Sequence, residues 1–199
     1  MLSIIHYLDA QFISLALSMR IGWLTAFFLA FTMLGKSYVV AVITAGVSVL
    51  FWRYKKIIYI IPLWISVGGG AVSVYILKHL ITRPRPVAIP IYIEDSYSFP
   101  SGHAGVAIGL YGFLLYFCLK NIADKIWRRI ADASLAVVII LLGFSRIYLG
   151  VHYFSDVIAG FLVGGIWLAI AIYYHKHPLS FPRRWESSGT TSGFPPSRE

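Results

Sequence analysis

Three short polar blocks interrupt an otherwise apolar chain, and all of their polar residues are ones that phosphate chemistry uses. The residues concerned are Lys78, Arg85, Pro86, Pro100, Ser101, Gly102, His103, Ser145, Arg146, His152 and Asp156. Isolated charges inside apolar sequence are costly and usually functional. Cations and helix starts bind anions, and a histidine beside a carboxylate can attack or move protons. The blocks together therefore indicate a site for phosphoryl chemistry.

The third block carries the strongest signal. Arg146 precedes His152 by six residues, and Asp156 follows His152 by four. If a helix begins near His152, the i,i+4 spacing places His152 and Asp156 on one face. A carboxylate held against one imidazole nitrogen fixes the tautomer and leaves the other nitrogen free to attack. A purely structural His–Asp pair is the alternative interpretation.

The first block places cations at the end of an apolar helix. Lys78 closes the apolar run, and Pro84 and Pro86 prevent the helix from continuing. Arg85 beside a proline suits a rigid, bidentate grip on phosphate. Snorkelling of these cations to the membrane boundary is the alternative.

The second block predicts a turn into a helix start. Pro100, Ser101 and Gly102 precede an apolar run, and such a start offers backbone N–H groups to an anion. Simple N-capping by Ser101 is the alternative, but it does not explain His103 in the first turn.

Composition identifies an integral membrane protein. Of 199 residues, 58% are hydrophobic and 13% are charged, against roughly 25% charged in soluble domains. The net charge of +9 is clustered in short loops between apolar runs, so we expect the bilayer, and no nucleic acid, as a partner. Cys118 is the only cysteine, which excludes an internal disulfide framework and a thiolate metal site.

Five apolar runs predict transmembrane helices, in an all-α membrane bundle. The runs are 38–52, which is short, and 57–77, 106–119, 131–144 and 157–174 with their flanks. The N-terminal part allows two interpretations: a sixth span, or one or two interfacial helices. We favour interfacial helices, since a span extended backward from Ile21 would contain Arg20.

The chain is accordingly divided into three parts. Residues 1–37 form the N-terminal interfacial segment, residues 38–177 the membrane-embedded core, and residues 178–199 a polar tail that composition predicts to be disordered. We find no cleavable signal peptide at the start. Basic residues cluster in alternate loops, which we expect to be cytoplasmic. The three polar blocks then lie on the opposite, outward face of an inner (plasma) membrane.

The three blocks, in this order, resemble the type-2 phosphatidic acid phosphatase family. Lys78 to Pro86 matches K-x6-R-P, Pro100 to His103 matches P-S-G-H, and Ser145 to Asp156 matches S-R-x5-H-x3-D. The resemblance covers about residues 38 to 175. Many members carry an additional N-terminal span, which is not evident here.

The resemblance implies a role for each matching residue. His152 would be the nucleophile that forms a phosphohistidine, Asp156 would orient it, and His103 would protonate the leaving oxygen. The phosphoryl oxygens would be held by Lys78, Arg85, Ser101, Gly102 and Arg146. No metal or other cofactor is implied. We interpret Glu94 and Asp95 as part of a solvated loop.

These expectations describe a lipid phosphatase with three candidate substrates. They are undecaprenyl diphosphate, phosphatidylglycerophosphate and phosphatidic acid, and the sequence does not separate them. The alternative from another class is a non-catalytic lipid-binding or carrier protein of the same fold. A vanadate-dependent peroxidase is disfavoured by the apolar spans.

Overall fold

The computed structural model describes residues 2–86 and 94–178, and this part of the chain is built from helices. The α-helices are α1 Leu2–Ser18, α2 Gly22–Phe31, α3 Ser37–Arg53, α4 Ile60–Ile81, α5 Gly102–Val106, α6 Phe113–Asn121, α7 Lys125–Tyr148 and α8 Phe154–Lys176. Short 3-10 turns precede α3 (Thr32–Gly35) and α4 (Ile57–Tyr59), and a π-helical segment, Ala107–Gly112, joins α5 to α6.

The prediction of an all-α integral membrane bundle is confirmed. Four continuous helical stretches in the described part are long and apolar enough to cross a bilayer: 57–81, 102–121, 125–148 and 154–176. Large apolar side chains remain exposed on the outside of the bundle, for example Leu162 at 64%. The expected fifth span, α3, has 17 residues, which is the lower limit for a crossing. The total of five spans stays a prediction.

The N-terminal part forms two helices. α1 and α2 meet at an angle of 119° at a short break that contains Arg20. The Nε of Arg20 donates to the carbonyl of Tyr148 at 3.3 Å, which anchors the guanidinium where α7 ends. A straight sixth span is therefore absent here, whereas the interfacial position of the two helices remains a prediction.

Glycine allows α8 to approach α5 closely. A Cβ atom on Gly160 would collide with the carbonyl of Ser101, and one on Gly164 would collide with the carbonyl of Gly105. Small residues permit this backbone contact between membrane helices. The crossing fixes the start of α5 beside the start of α8.

Polar contacts join the helix ends that carry the basic loops. The Nζ of Lys56 donates to Asn121 at 2.9 Å, which ties the loop before α4 to the end of α6. Tyr116 and His175 are hydrogen-bonded at 2.8 Å nearby in the fold, between α6 and α8. The three polar blocks lie at the opposite helix ends. The predicted tail falls, from residue 179 on, outside the described residues.

Candidate active site

Four helix ends and the loops beside them bring all eight predicted site residues into one region. α4 ends at Thr82, which adopts a left-handed conformation (φ 49°) just before the proline-containing loop. α7 ends with Arg146 in its last turn, and α8 begins two residues after His152. The residues are Lys78, Arg85, Ser101, Gly102, His103, Arg146, His152 and Asp156.

The two ring nitrogens of His152 face different surroundings. Nδ1 lies 3.5 Å from Oδ2 of Asp156, a loose contact between two buried side chains. Nε2 lies 3.4 Å from Nη1 of Arg85, and the ring lines a cavity. His152 precedes α8 instead of lying in its first turn, yet the i,i+4 pairing expected from the sequence is present. The nitrogen away from the carboxylate is the one directed at the cations.

Asp156 is held by more partners than the sequence suggested. Its Oδ2 accepts from the backbone N–H of Tyr153 at 2.9 Å, in a capping box, and from the hydroxyl of Ser98. Its Oδ1 accepts from Nη1 of Arg83 at 2.7 Å. Sequence reasoning left Arg83 outside the site, because it occupies a variable position of the first motif.

Arg85 is fixed by protein oxygens on several sides. Its Nη1 donates to the carbonyl of Val151 at 2.7 Å, and its Nε donates to the carbonyl of Ser96 at 2.7 Å. These contacts place the guanidinium beside His152 Nε2. They favour a positioned cation over the snorkelling alternative.

Arg146 is fully buried, and a residue of the N-terminal region holds it. Its Nη1 donates to Oγ1 of Thr32 at 2.8 Å, and its Nη2 pairs with Oε1 of Glu94. The other oxygen of Glu94 lies 2.8 Å from Nη2 of Arg85. The interpretation of Glu94 as a solvated loop residue is therefore wrong: its carboxylate bridges the two arginines. Asp95 is exposed, as expected.

The P-S-G-H block starts a helix, as predicted, but Ser101 does not cap it with its side chain. The Ser101 side chain is fully buried, and neither its Oγ nor Nε2 of His103 has a hydrogen-bond partner among the described residues. The backbone N–H of Ser101 donates to the carbonyl of Asp156 at 3.0 Å. Buried polar atoms normally have partners, and His103, unlike Ser101, lines the cavity, so its Nε2 is a candidate to bind a polar ligand.

A cavity of about 550 Å³ lies between these groups. Lys78, Glu94, Gly102, His103 and His152 line its polar part. Tyr38, Ala71, Val74, Tyr75 and Val106 line its less polar part. The cavity is therefore lined both by cations and imidazoles and by apolar side chains of α3 and α4.

Four cations of the site face three carboxylates, and Lys36 adds a fifth cation to the lining of the cavity, so these groups sum to two positive units with both histidines neutral. Lys78, Arg83, Arg85 and Arg146 face the carboxylates of Asp9, Glu94 and Asp156. Burial opposes ionisation of Glu94, but the nearby charges of Arg146 and Arg85 lower its pKa to about 2. Glu94 is therefore an anion at any physiological pH.

His152 is held in its neutral form. Burial lowers the pKa of the imidazole, and the contact with Asp156 offsets only part of that effect. The charges of Arg146 and Arg85 lower the pKa further, to about 4. A neutral imidazole keeps a lone pair on the nitrogen that faces the cavity.

No cluster of three or more His, Cys, Asp or Glu side chains suited to a metal ion occurs within residues 2–86 and 94–178. The acidic groups near the site are engaged with arginines, and Asp156 is also engaged with Ser98 and the backbone of Tyr153. The donor set therefore fits a phosphate group better than a cation.

The chain is similar to known proteins both in sequence and in structure. The model of the PAP2 superfamily matches residues 58–179. Phosphatidylglycerophosphatase B of Bacillus subtilis is 31% identical over 75% of this chain and 74% of its own length. Undecaprenyl-diphosphatase of Sulfolobus acidocaldarius is 35% identical over 68% of this chain and 62% of its own length.

Two crystal structures share the fold. The transmembrane PAP2-type phosphatidylglycerolphosphate phosphatase of Bacillus subtilis has a TM-score of 0.81 and 27% identity, and the match covers 89% of each chain. Aquifex aeolicus LpxE has a TM-score of 0.63 and 28% identity, covering 83% of this chain and 94% of that one. These relatives confirm the predictions of a multi-pass membrane protein and of a phosphatase. The chain belongs to the PAP2 superfamily of phosphatases.

Proposed function

We propose that this protein hydrolyses the phosphate monoester or diphosphate of a membrane lipid through a phosphohistidine on His152, without a metal ion. One observation carries the proposal: Nδ1 of His152 faces Asp156, whereas Nε2 faces Arg85 and the cavity. Relatives named for phosphatidylglycerophosphate and undecaprenyl diphosphate support a lipid phosphate as substrate.

In the first step, Nε2 of His152 attacks phosphorus and the bond to the leaving oxygen breaks. His103, which takes up a proton when the anionic phosphate binds, donates that proton to the leaving oxygen, so the lipid leaves as an alcohol, or as a monophosphate when the substrate is a diphosphate. Lys78, Arg85 and Arg146 stabilise the charge on the transferring oxygens. In this scheme the Ser101 hydroxyl and the backbone at the start of α5, at Gly102, also donate hydrogen bonds to the phosphoryl group.

In the second step, water attacks the phosphohistidine. His103, now neutral, accepts the proton of that water, the N–P bond breaks, and inorganic phosphate leaves. The lone pair returns to Nε2, and Asp156 stabilises the imidazole in the required tautomer throughout. Every group that this scheme needs belongs to the chain.

The shape of the cavity supports a lipid as the phosphate carrier. Its lining includes apolar side chains, among them Val74 and Val106, beside the polar groups. A phosphate headgroup would lie among the cations while its hydrocarbon chain contacts apolar side chains.

A phosphate-release panel tests the proposal. Purified protein in detergent is given undecaprenyl diphosphate, phosphatidylglycerophosphate, phosphatidic acid and a lipid A phosphate, beside a His152→Ala variant of equal stability. We expect release from at least one lipid by the wild type, and none by the variant. Radiolabelled substrate should leave an acid-labile, alkali-stable phosphoryl group on the wild type only. A fully active His152→Ala variant would overturn the mechanism, and a catalytically inert wild type would favour a carrier.

The orientation in the membrane belongs to the same proposal. The site lies at the helix ends opposite the basic loops, which are expected in the cytoplasm, so we place it at the outer face of the inner membrane. In a Cys118→Ala background, Tyr97→Cys should react with a membrane-impermeant maleimide on intact cells, and Lys55→Cys should not. The reverse labelling pattern would contradict this orientation.

A further inference from the structure

Asp9 of α1 is a buried carboxylate far from the catalytic motifs in sequence. Only 2% of the residue is exposed. Its Oδ2 lies 2.8 Å from Nη2 of Arg83 and accepts from Oγ of Ser155 at 2.8 Å, and its Oδ1 accepts from the backbone N–H of Ser155 at 2.9 Å. A helix outside the motifs thus reaches the first turn of α8.

Arg83 lies between Asp9 and Asp156. Its Nη1 donates to Oδ1 of Asp156 at 2.7 Å and to Oγ of Ser155 at 2.7 Å, while its Nη2 is held by Asp9. The guanidinium carbon also lies 4.0 Å from the centre of the Tyr153 ring. The guanidinium therefore binds Asp156 through Nη1 and Asp9 through Nη2.

We infer that Asp9 is a positioning residue for the His152–Asp156 pair and that it acts through Arg83. The inference rests on the proposed function, in which Asp156 orients His152. Asp9 occupies Nη2 of Arg83, so that only Nη1 reaches Asp156, and only at Oδ1.

The geometry of arginine explains why this matters. An arginine that meets a single carboxylate tends to bind both of its oxygens through two parallel N–H groups. Without Asp9, Nη2 of Arg83 would be released to reach Oδ2 of Asp156. That oxygen is the one beside Nδ1 of His152. Asp9 thus keeps a third donor away from Oδ2, which already accepts from Ser98 and from the backbone of Tyr153 beside His152.

A second contact of α1 supplies a matched control for simple helix docking. The rings of Phe12 and Phe154 stack with their centroids 4.1 Å apart and their planes 6° apart. Phe12→Ala loosens the same α1–α8 interface and leaves Asp9, Arg83 and Asp156 unchanged. A merely structural role for Asp9 predicts that Asp9→Asn and Phe12→Ala affect activity in proportion to their losses of thermal stability.

The test measures kcat, KM and Tm for Asp9→Asn, Asp9→Glu and Phe12→Ala in detergent. We expect Asp9→Asn to lower kcat by about 10- to 100-fold, with little change in KM. Losses of this size follow when a residue that orients a functional group is removed. Asp9→Glu keeps the charge and should retain an intermediate kcat; it supplies the readout if Asp9→Asn does not fold. Phe12→Ala should lower Tm and keep a kcat near that of the wild type. Wild-type kcat in both Asp9 variants would overturn the inference.

A double-mutant cycle tests the route through Arg83. If Asp9 acts only through Arg83, the double variant with Arg83→Gln and Asp9→Asn loses no more kcat than Arg83→Gln alone. Losses that multiply would overturn that route. His152→Ala, assayed in parallel, separates the two hypotheses. If His152→Ala is inactive while Asp9→Asn is fully active, only the positioning inference fails. If His152→Ala is active, the proposed mechanism fails.

Discussion

Oδ2 of Asp156 lies 3.5 Å from Nδ1 of His152, while the same oxygen accepts a hydrogen bond from the backbone of Tyr153 at 2.9 Å. The carboxylate is therefore anchored by its own helix start, and the imidazole contacts it loosely. Catalytic hydrogen bonds are often long without substrate and tighten in the reacting complex. His152 acquires a positive charge only when it is phosphorylated, which is when a closer approach to Asp156 stabilises it most.

The pH dependence of kcat/KM should show that the pKa of His152 is well below the usual value for histidine. Because its pKa is lowered to about 4 by burial and by neighbouring cations, the neutral, reactive form persists as pH falls below 6.5 and is lost only near pH 4. A profile of kcat/KM between pH 4 and 8 checks this. Ionisation of a phosphate monoester adds a limb near pH 6 that belongs to the substrate. Because a terminal diphosphate ionises in the same range, the substrate limb is identified by titrating each substrate alone. A further loss of activity on acidification near pH 6.5 would contradict the prediction.

Glu94→Gln should strengthen the binding of phosphate-like anions. Glu94 bridges Arg85 and Arg146, so an incoming phosphate must replace its carboxylate. The Glu94 carboxylate competes with phosphate for the two arginines. Its loss should strengthen phosphate binding by about 1.4 kcal/mol, so the Ki for inorganic phosphate should fall by about tenfold. Asp95→Asn removes the neighbouring exposed carboxylate and should leave Ki unchanged. A higher Ki in Glu94→Gln would mean that Glu94 serves chiefly to hold the arginines.

Gly160→Ala should damage both stability and activity. Its Cβ would collide with the carbonyl of Ser101 and lie 2.9 Å from Cβ of Ala104, forcing α5 away from α8. Overpacking of this kind costs about 1–3 kcal/mol, and here it displaces the helix start that carries His103. The control is Gly165→Ala on the same helix, where a Cβ meets nothing within 4 Å. We expect Gly160→Ala to have a lower Tm and a lower kcat than Gly165→Ala. Equal values in the two variants would refute the close approach of α8 to α5.

Thr32→Val should weaken substrate binding through Arg146. The hydroxyl of Thr32 accepts from Nη1 of this buried arginine at 2.8 Å, and valine has the same shape without the acceptor. An unsatisfied buried donor costs about 1–3 kcal/mol, so we expect KM to rise by about tenfold. Thr44→Val is the matched control, because Oγ1 of the buried Thr44 has no partner among the described residues. An unchanged KM in Thr32→Val would show that other contacts suffice to hold Arg146.

Activity should persist in excess chelator. The acidic groups that the structure describes near the site are paired with arginines, and no cluster of metal ligands occurs among the described residues. Phosphate release with and without EDTA, followed by addition of Mg²⁺, checks this. Strict dependence on added metal would contradict the scheme.

The motif residues could be predicted to meet because each one is tied to a helix end. Proline stops α4 after Lys78, the P-S-G-H turn starts α5, and the i,i+4 spacing relates His152 to Asp156. Because successive spans run in opposite directions, those ends lie at one face of the bundle. Sequence patterns of this kind predict local backbone geometry, and that geometry was sufficient to place the motif residues at helix ends.

Asp9, Thr32 and Glu94 could not be found in the same way. Each reaches the site only through tertiary packing: Asp9 contacts Ser155 across 146 residues, and Thr32 contacts Arg146 across 114. No spacing rule links such positions. The sequence did provide one indirect signal, since an acidic residue in an apolar N-terminal helix is costly unless it is paired.

All catalytic candidates lie at one end of the bundle, whereas the contact between Lys56 and Asn121 ties the other end together. A lipid can therefore present its headgroup to the site from a single leaflet. Lipid phosphates made in the opposite leaflet would have to cross the bilayer before cleavage, so the rate of that crossing would set an upper limit on turnover in cells.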